Sequence, residues 1–356
     1  MGARVFFSPA SASEPAEDLA RKAERLFLEL GFEERIGEES FVALKTHFGE
    51  KHNKGYIQPA WLTRVVDRLR RRSRRVFFTD TNTLYTGPRA NAVEHVRLAW
   101  DHGFSADRVV VPLLIADGLI GRDSEEVKVG LSRVKTAKLA SGIVHADFLV
   151  CFSHITGHII AGVGAAVKNL GMGCASRAGK LEQHSDVHPT VKAKACSNCG
   201  ICLDYCSAGA IVQGEGSVRI QDDRCIGCGE CLVVCKSGAI KMRWDEDAVR
   251  LQEKMAEYAY AVHSLFGERA AYLNFALNIT KDCDCMARAQ KPVVDDIGLL
   301  ASSDPLALDK ASIDLVMERS GGDVFRKGYD IDWSVQLNHG SRIGLGSLDY
   351  ELVIRD

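Results

Sequence analysis

Residues 195–211 read ACSNCGICLDYCSAGAI and residues 224–240 read RCIGCGECLVVCKSGAI. Cys196, Cys199, Cys202 and Cys206 are spaced C-x2-C-x2-C-x3-C, and Cys225, Cys228, Cys231 and Cys235 repeat that spacing 29 positions later. The Ala210-Ile211 and Ala239-Ile240 pairs keep the same offset, so the duplicated unit is structural and not only a set of thiols. Three closely spaced thiolates wrap one loop around three irons of a cube. The fourth cysteine, on the helical turn that follows, faces the other cube. This rule assigns Cys196, Cys199, Cys202 and Cys235 to one [4Fe–4S] cluster, and Cys225, Cys228, Cys231 and Cys206 to a second. A zinc ribbon would leave half of these cysteines idle. A disulfide framework suits a short secreted chain, which this is not. Ser207 and Lys236 stand where such runs usually continue with proline, which adds backbone N–H groups beside the clusters without touching a ligand.

Outward from these runs the chain has an ordinary globular make-up. Its 356 residues allow about two domains, and 46% hydrophobic with 26% charged residues can close a core. The net charge of −2 points to no nucleic-acid or membrane partner. The first residues, MGARVFFSPASASEPAED, lack the basic start and apolar core of a signal peptide. No run has the length of a membrane span. Twelve cysteines then imply metal binding in a reducing compartment, and a cytoplasmic location is expected. The arginine-rich run Arg68–Arg75 lacks interleaved aromatics and closes a helix, so it reads as a solvated helix end.

The first 190 residues alternate apolar strands with helical patterns, the mark of a layered α/β fold. Strands are expected at Arg4–Ser8, Phe41–Lys45, Arg75–Thr79, Val109–Ile115, Val127–Val134 and Asp147–Phe152. Helices are expected at Glu14–Leu30, Pro59–Arg72, Arg89–His102 and Gly162–Leu170. After the cysteine runs come a helix over Asp245–Phe266 and strands at Ala271–Ile279 and Ile297–Ala301. A helix capped by Asp304 runs to about Arg319, and Tyr350–Ile354 is a last strand. The α/β pattern thus resumes after the cysteines. The expectation is one discontinuous host domain, residues 1–190 plus 244–356, carrying an inserted two-cluster ferredoxin-like module over 191–243. That insert holds seven Lys/Arg against five Asp/Glu, which favours electron delivery within its own chain.

In an open α/β sheet, ligands bind beyond the carboxyl ends of the strands. Phe41–Lys45 is followed by Lys45, His47, Glu50 and His52; Arg75–Thr79 by Asp80, Asn82 and Tyr85; Asp147–Phe152 by His154 and His158. Together with Lys168 and Asn169, the catalytic candidates are Lys45, His47, Asp80, Asn82, His154 and His158. The segment 161–174, AGVGAAVKNLGMGC, fits neither a Walker loop nor a dinucleotide fingerprint. His184 and His188 are four apart, but Pro189 argues against a shared helical face. Cys283 and Cys285, beside Asp282 and Asp284, suit a further metal or a redox pair. Cys151 reads as a small buried hydrophobe, and Cys174 is ambiguous.

The segments KTHFGE (45–50), DTNTLYTGPRANAVEH (80–95), SHITGH (153–158), AVKNLGMGCASRAGK (166–180), the double cysteine run, CDC (283–285) and DIGLLASSDPLALDKASIDL (296–315) resemble the ferredoxin-containing iron–sulfur centre proteins of the domain of unknown function numbered 362. The resemblance covers nearly the whole chain. It implies a cytoplasmic α/β protein with two [4Fe–4S] clusters and no established reaction. Thr156, Ile159 and Ala165 depart from the family's pattern, so what carries over is the cluster ligands rather than a detailed site.

These readings converge on an oxidoreductase whose clusters exchange electrons with a small molecule or second metal at the strand-end edge. An electron donor or acceptor protein is the expected partner. The alternatives are an electron-transfer or binding module serving a partner protein, and a metal-handling protein. A cleft at His47 and His158 separates the first reading from a flat apolar docking face.

Overall fold

A computed structural model of the chain describes residues 2–184, 189–206, 208–225, 230–241 and 248–355. Its centre is an eight-stranded sheet of β1 (Ala3–Pro9), β2 (Phe41–Lys45), β3 (Arg75–Asp80), β4 (Leu113–Ile115), β5 (Phe148–His154), β6 (Ala270–Ala276), β7 (Gly298–Ser302) and β8 (Tyr350–Ile354). The spatial order is β8-β1-β7-β6-β5-β2-β3-β4. Only β7 runs against its neighbours; all other pairings are parallel.

The strands read as continuous apolar runs because both faces of the sheet are covered. Side chains alternate between two cores at the period of a strand. Val42 and Leu44, with Phe148, Val150 and Phe152, join one core; Ala43, Leu149 and Cys151 join the other. The first core is closed by helices Ala16–Leu28 and Thr63–Arg72, through Leu19, Leu26, Val65 and Leu69. Each such leucine contributes roughly 1.5–3 kcal/mol by leaving water. The second is closed by Ala248–Phe266 and Pro305–Ser320. As expected, Asp304 caps the latter helix, accepting from the Leu306 and Ala307 N–H groups at 2.9 Å, and Gly321 ends it at φ 65°.

Four expectations need correction. The strand placed at Val109–Ile115 is a helical turn, Ala106–Val109, ended by Val110 in the left-handed region, and only Leu113–Ile115 pairs. The strand placed at Val127–Val134 is mostly a turn. Ser124–Lys128 pairs with Thr136–Ala140, and the Arg133 and Val134 N–H groups turn inward to Glu257. The helix placed at Gly162–Leu170 begins only at Ala166, because Thr156–His158 and Gly162–Gly164 form a hairpin first. The helix placed at Arg89–His102 starts at Ala92, after Asn91 caps it through the Glu94 N–H. The arginine-rich helix end is indeed solvated and internally paired, with Arg68 on Glu33 and Arg74 on Glu38 and Glu39.

The described residues between 190 and 241 form two short antiparallel pairs, Thr190–Val191 with Ile240–Lys241 and Ile211–Gln213 with Val218–Ile220, plus helical turns at Ile201–Asp204 and Glu230–Val234. Cys202, Ile211, Val218, Leu232 and Ile240 make a small apolar cluster, which Leu84 and Leu181 join from the rest of the chain. The Arg122 guanidinium also donates to the Tyr205 carbonyl at 2.8 Å.

From β2 the chain steps to β3 and β4 on one side, then returns to the other side of β2 with β5 and β6. Crossovers therefore diverge between β2 and β5, where an open sheet leaves a crevice at the carboxyl ends. Those ends are Lys45 and His154.

Candidate functional site

A cleft of about 770 Å³ opens at that divergence. Lys45, His47, Asp80, His154, His158, Lys168 and Asn169 line it, as do Cys283 and Cys285. Asn82 does not. Its amide donates to Asp117 and to the Gly118 carbonyl, both at 2.8 Å, so it braces the following loop from behind. The sequence also did not single out Arg89 and Lys180, which line the same cleft.

One wall is a buried charge network. The Lys45 ammonium lies 2.9 Å from Asp80 Oδ1 and donates to Asn169 Oδ1 at 2.7 Å. Arg89 spans Glu50 at 3.0 Å and the other Asp80 oxygen at 3.4 Å. Burial works against every one of these charges. For Asp80, Lys45 foremost outweighs it and holds the carboxyl well below the usual range. For Lys45, burial is likewise outweighed by Asp80, and its pKa is raised. Asn169 fixes the geometry, its amide N–H₂ donating to the Phe152 carbonyl at 2.9 Å and to Ser153 Oγ at 3.0 Å. The short helix carrying Lys168 and Asn169 is anchored by Asp309, which accepts from the Ala166 and Val167 N–H groups at 2.8 Å.

The histidines divide into two kinds. Both nitrogens of His154 face acceptors, Asp284 Oδ2 at 2.9 Å and the Leu277 carbonyl at 2.8 Å, which needs both protons. Burial opposes that charge, but Asp284 outweighs it and raises the pKa. His47 and His158 are the reverse. His47 Nδ1 accepts from the Gly49 N–H at 2.9 Å, and His158 Nδ1 from the Ala161 N–H at 3.0 Å. Each neutral ring therefore carries its proton on Nε2. Burial, joined by Arg89 at His47 and Lys168 at His158, keeps both pKa values well below the usual range. His47 Nε2 is buried with no hydrogen-bond partner among the described residues.

The cleft has an excess of positive charge. Lys45, Arg89, Lys168, Lys180 and the His154 imidazolium face three carboxylates, Glu50, Asp80 and Asp284. Lys168 makes no hydrogen bond or ion pair among the described residues, and Lys180 donates only to Thr81 and to the Ala175 carbonyl. Burial, joined by Arg89 at Lys168 and only partly opposed by Asp117 and Asp80 at Lys180, brings both lysines down to about 8. Asp284 Oδ1 is buried without a donor among the described residues. Such a cavity suits an anion that also carries a proton to donate.

Cys283 and Cys285 are joined by a disulfide, and a His158 ring nitrogen lies within 4.8 Å of both sulfurs. These three donors are the candidate metal site among the described residues. His184 ends the helix Arg177–His184 and lines the cleft, its pKa taken down to about 3 by burial, then Lys168 and Lys180. His188 lies outside the described residues. Cys151 and Cys174 are fully buried and do not line the cleft.

In the cysteine runs, Cys196, Cys199, Cys202, Cys206 and Cys235 carry no disulfide. Cys235 is close enough to Cys199 and Cys202 to act on both electrostatically. Backbone N–H groups of Asn198, Ala210 and Ile240 point at the sulfurs of Cys196, Cys206 and Cys235, at 3.4, 3.2 and 3.5 Å. Such donors suit thiolates, so these residues fit metal ligation. Cys225 and Cys231 belong to the same segment, and Cys228 lies outside the described residues. Leu84 belongs both to the cleft wall and to the apolar cluster around Cys202. No described helix is long and apolar enough to cross a membrane.

No curated protein matches the chain. Among solved structures it is similar to the lactate racemase apoprotein from Thermoanaerobacterium thermosaccharolyticum, at 14% identity and a TM-score of 0.44, over 89% of this chain and 57% of that one. It is similar also to a protein from Thermotoga maritima, at 9% identity and a TM-score of 0.41, over 92% of this chain and 59% of that one. The chain thus spans under two thirds of either. The family model described as Domain of unknown function (DUF362) matches residues 42–314, from β2 through every cleft residue named above, and the chain belongs to that family.

Proposed function

We propose that the protein is an iron–sulfur oxidoreductase acting on a small anionic molecule in the cleft. The observation that carries this reading is the duplicated C-x2-C-x2-C-x3-C run packed, through Leu84, against a cleft of excess positive charge. Cys196, Cys199, Cys202 and Cys235 hold one [4Fe–4S] cluster; Cys225, Cys228, Cys231 and Cys206 hold the other. The neighbourhood of Cys235 with Cys199 and Cys202 supports this crossed ligation. When bound, the clusters supply single electrons.

The chain's own residues do the rest. Lys168 and Lys180 draw in the anion, and the His47 Nε2–H orients it. Asp284 Oδ1 accepts a proton-bearing group of the ligand. Lys168, titrating near 8, is the proton donor that reduction of an organic group requires. The electron partner is a donor or acceptor protein. A recessed, charged cleft favours this reading over a docking module. The alternative of metal handling would need the Cys283–Cys285 bond opened and a His158 nitrogen freed of its proton or its backbone donors.

Anaerobically purified protein is expected to contain about eight iron and eight sulfide per chain, and to give a paramagnetic signal on reduction. Calorimetry with small carboxylates and phosphate is expected to detect binding that Lys168→Met weakens at least about tenfold, about 1.4 kcal/mol. Zinc without sulfide overturns the cluster assignment, and no anion binding overturns the substrate assignment.

A further inference from the structure

Among the described residues the chain has one disulfide, Cys283–Cys285, and it lines the cleft. Three observations bear on what it is for. The cross-link joins residues only two positions apart, so it restricts the unfolded chain very little and is of little use for stability. In the reducing compartment that the cysteine usage implies, persistent structural disulfides are rare and those present are mostly catalytic or redox-sensing.

The second observation concerns His158. Its Nδ1 lone pair is taken up by the Ile160 and Ala161 N–H groups at 3.3 and 3.0 Å. Nε2 therefore bears the proton. A ring with one nitrogen occupied and the other protonated has no lone pair for a metal, but it can donate a hydrogen bond to sulfur.

Third, the loop is held from several sides. The Asp282 carboxylate accepts from Tyr329 and Arg288, and the Asp284 side chain is fixed on His154. The Asp284 carbonyl accepts from the Glu50 N–H at 3.0 Å, and that of Cys285 from the Tyr85 hydroxyl at 3.4 Å. Opening the S–S bond leaves both sulfurs tethered where they can close again.

We infer that Cys283–Cys285 is a redox-active pair which stores two electrons as a dithiol inside the cleft; the inference rests on the cluster reading above for the source of those electrons. The S–S bond breaks as two single electrons arrive from the clusters and two protons are taken up, giving two thiols. The reverse reaction re-forms the bond and returns two electrons and two protons. The pair thus converts one-electron traffic in the cysteine runs into the two-electron steps that most organic reductions need. His158, with a ring nitrogen within 4.8 Å of both sulfurs, is placed to steady the thiolate formed on the way.

The test is a reductive titration of the anaerobic, cluster-loaded protein by deazaflavin photoreduction, followed by alkylation and mass spectrometry of the peptide spanning Cys283 and Cys285. The wild type is expected to take up two more electrons per chain than Cys283→Ser/Cys285→Ser, and to gain two alkyl groups on that peptide only after reduction. The double variant should keep its full iron and sulfide content. Equal electron uptake, or a peptide that stays unlabelled while the clusters are spectroscopically reduced, overturns the inference. So does one tightly bound metal per chain that Cys283→Ser removes. If the chain binds neither iron nor sulfide, the cluster reading fails by itself. A dithiothreitol redox titration then decides the pair: labelling with a two-electron midpoint supports it, and none rejects it.

Discussion

Replacing Lys45 by Met tests whether the cleft wall is held by charge. Methionine fills nearly the same volume and removes only the ammonium, 2.9 Å from Asp80 and 2.7 Å from Asn169. Breaking a buried pair from one side costs about 3–5 kcal/mol. Asp80 keeps Arg89 at 3.4 Å, which places the cost near the lower end, about 3 kcal/mol. With an unfolding entropy of about 2.1 cal/mol/K per residue over 356 residues, Tm should fall by about 4 °C in a calorimetric scan. Asp80→Asn alone should also destabilise, and the double variant should recover about 2 kcal/mol relative to the sum.

The pH dependence follows from the signs. The Asp80 contribution is present above the unfolded carboxyl value, near 4, and is lost as pH falls through its depressed folded value. The Lys45 contribution is present below the unfolded value, near 10.4, and is lost as pH rises through its raised folded value. The cost of Lys45→Met should therefore be flat between about pH 5 and 9. Additive single and double variants, or a cost that disappears at pH 7, would refute the argument.

Lys168→Met should do the opposite. Its folded pKa of about 8 means the native state carries an unrelieved charge below that pH. Removing it should stabilise the ligand-free protein by about 3 kcal/mol at pH 7, with the gain fading between about pH 8 and 10.5; a urea midpoint series reads this. Glu257→Ala should cost about 3–5 kcal/mol in the same assay. The carboxylate accepts from Ser132, Arg133, Val134 and His339, so its loss orphans donors on two segments. Cys235→Ser should damage the cluster whose other ligands begin at Cys196 and leave its sequence neighbour intact, which iron analysis and the reduced-state spectrum would show.

Much of this architecture was legible because its strands are buried on both faces. Val42–Leu44 and Leu149–Phe152 could hardly be anything but central parallel strands, and the residues after them had to meet at one sheet edge. What stayed hidden depends on side-chain direction. Asn82 lies two residues past Asp80, the end of β3, yet it turns back to Asp117. Arg89 looks like the first residue of a helix, but it precedes the Asn91 cap and is free to turn inward. Lys180 reaches the cleft from a helix about a hundred residues beyond β3, a distance no local pattern reports. The helix Ser334–Arg342 was missed because its buried face is Gln336, Leu337, His339 and Gly340, which is mostly not apolar.

The position of β1 has a consequence for how the chain is made. Its partners are β7 on one side, where Pro9 meets Gly298, and β8 on the other, where Phe7 meets Ile354. Both emerge from the ribosome nearly a whole chain-length later, roughly 15–60 s at about 5–20 residues per second. Through that interval β1 has neither neighbour and keeps a sticky, apolar ribbon on the nascent chain. Shelter from a chaperone, or a fusion partner at the N-terminus, should therefore raise the soluble yield more than any change in the cleft.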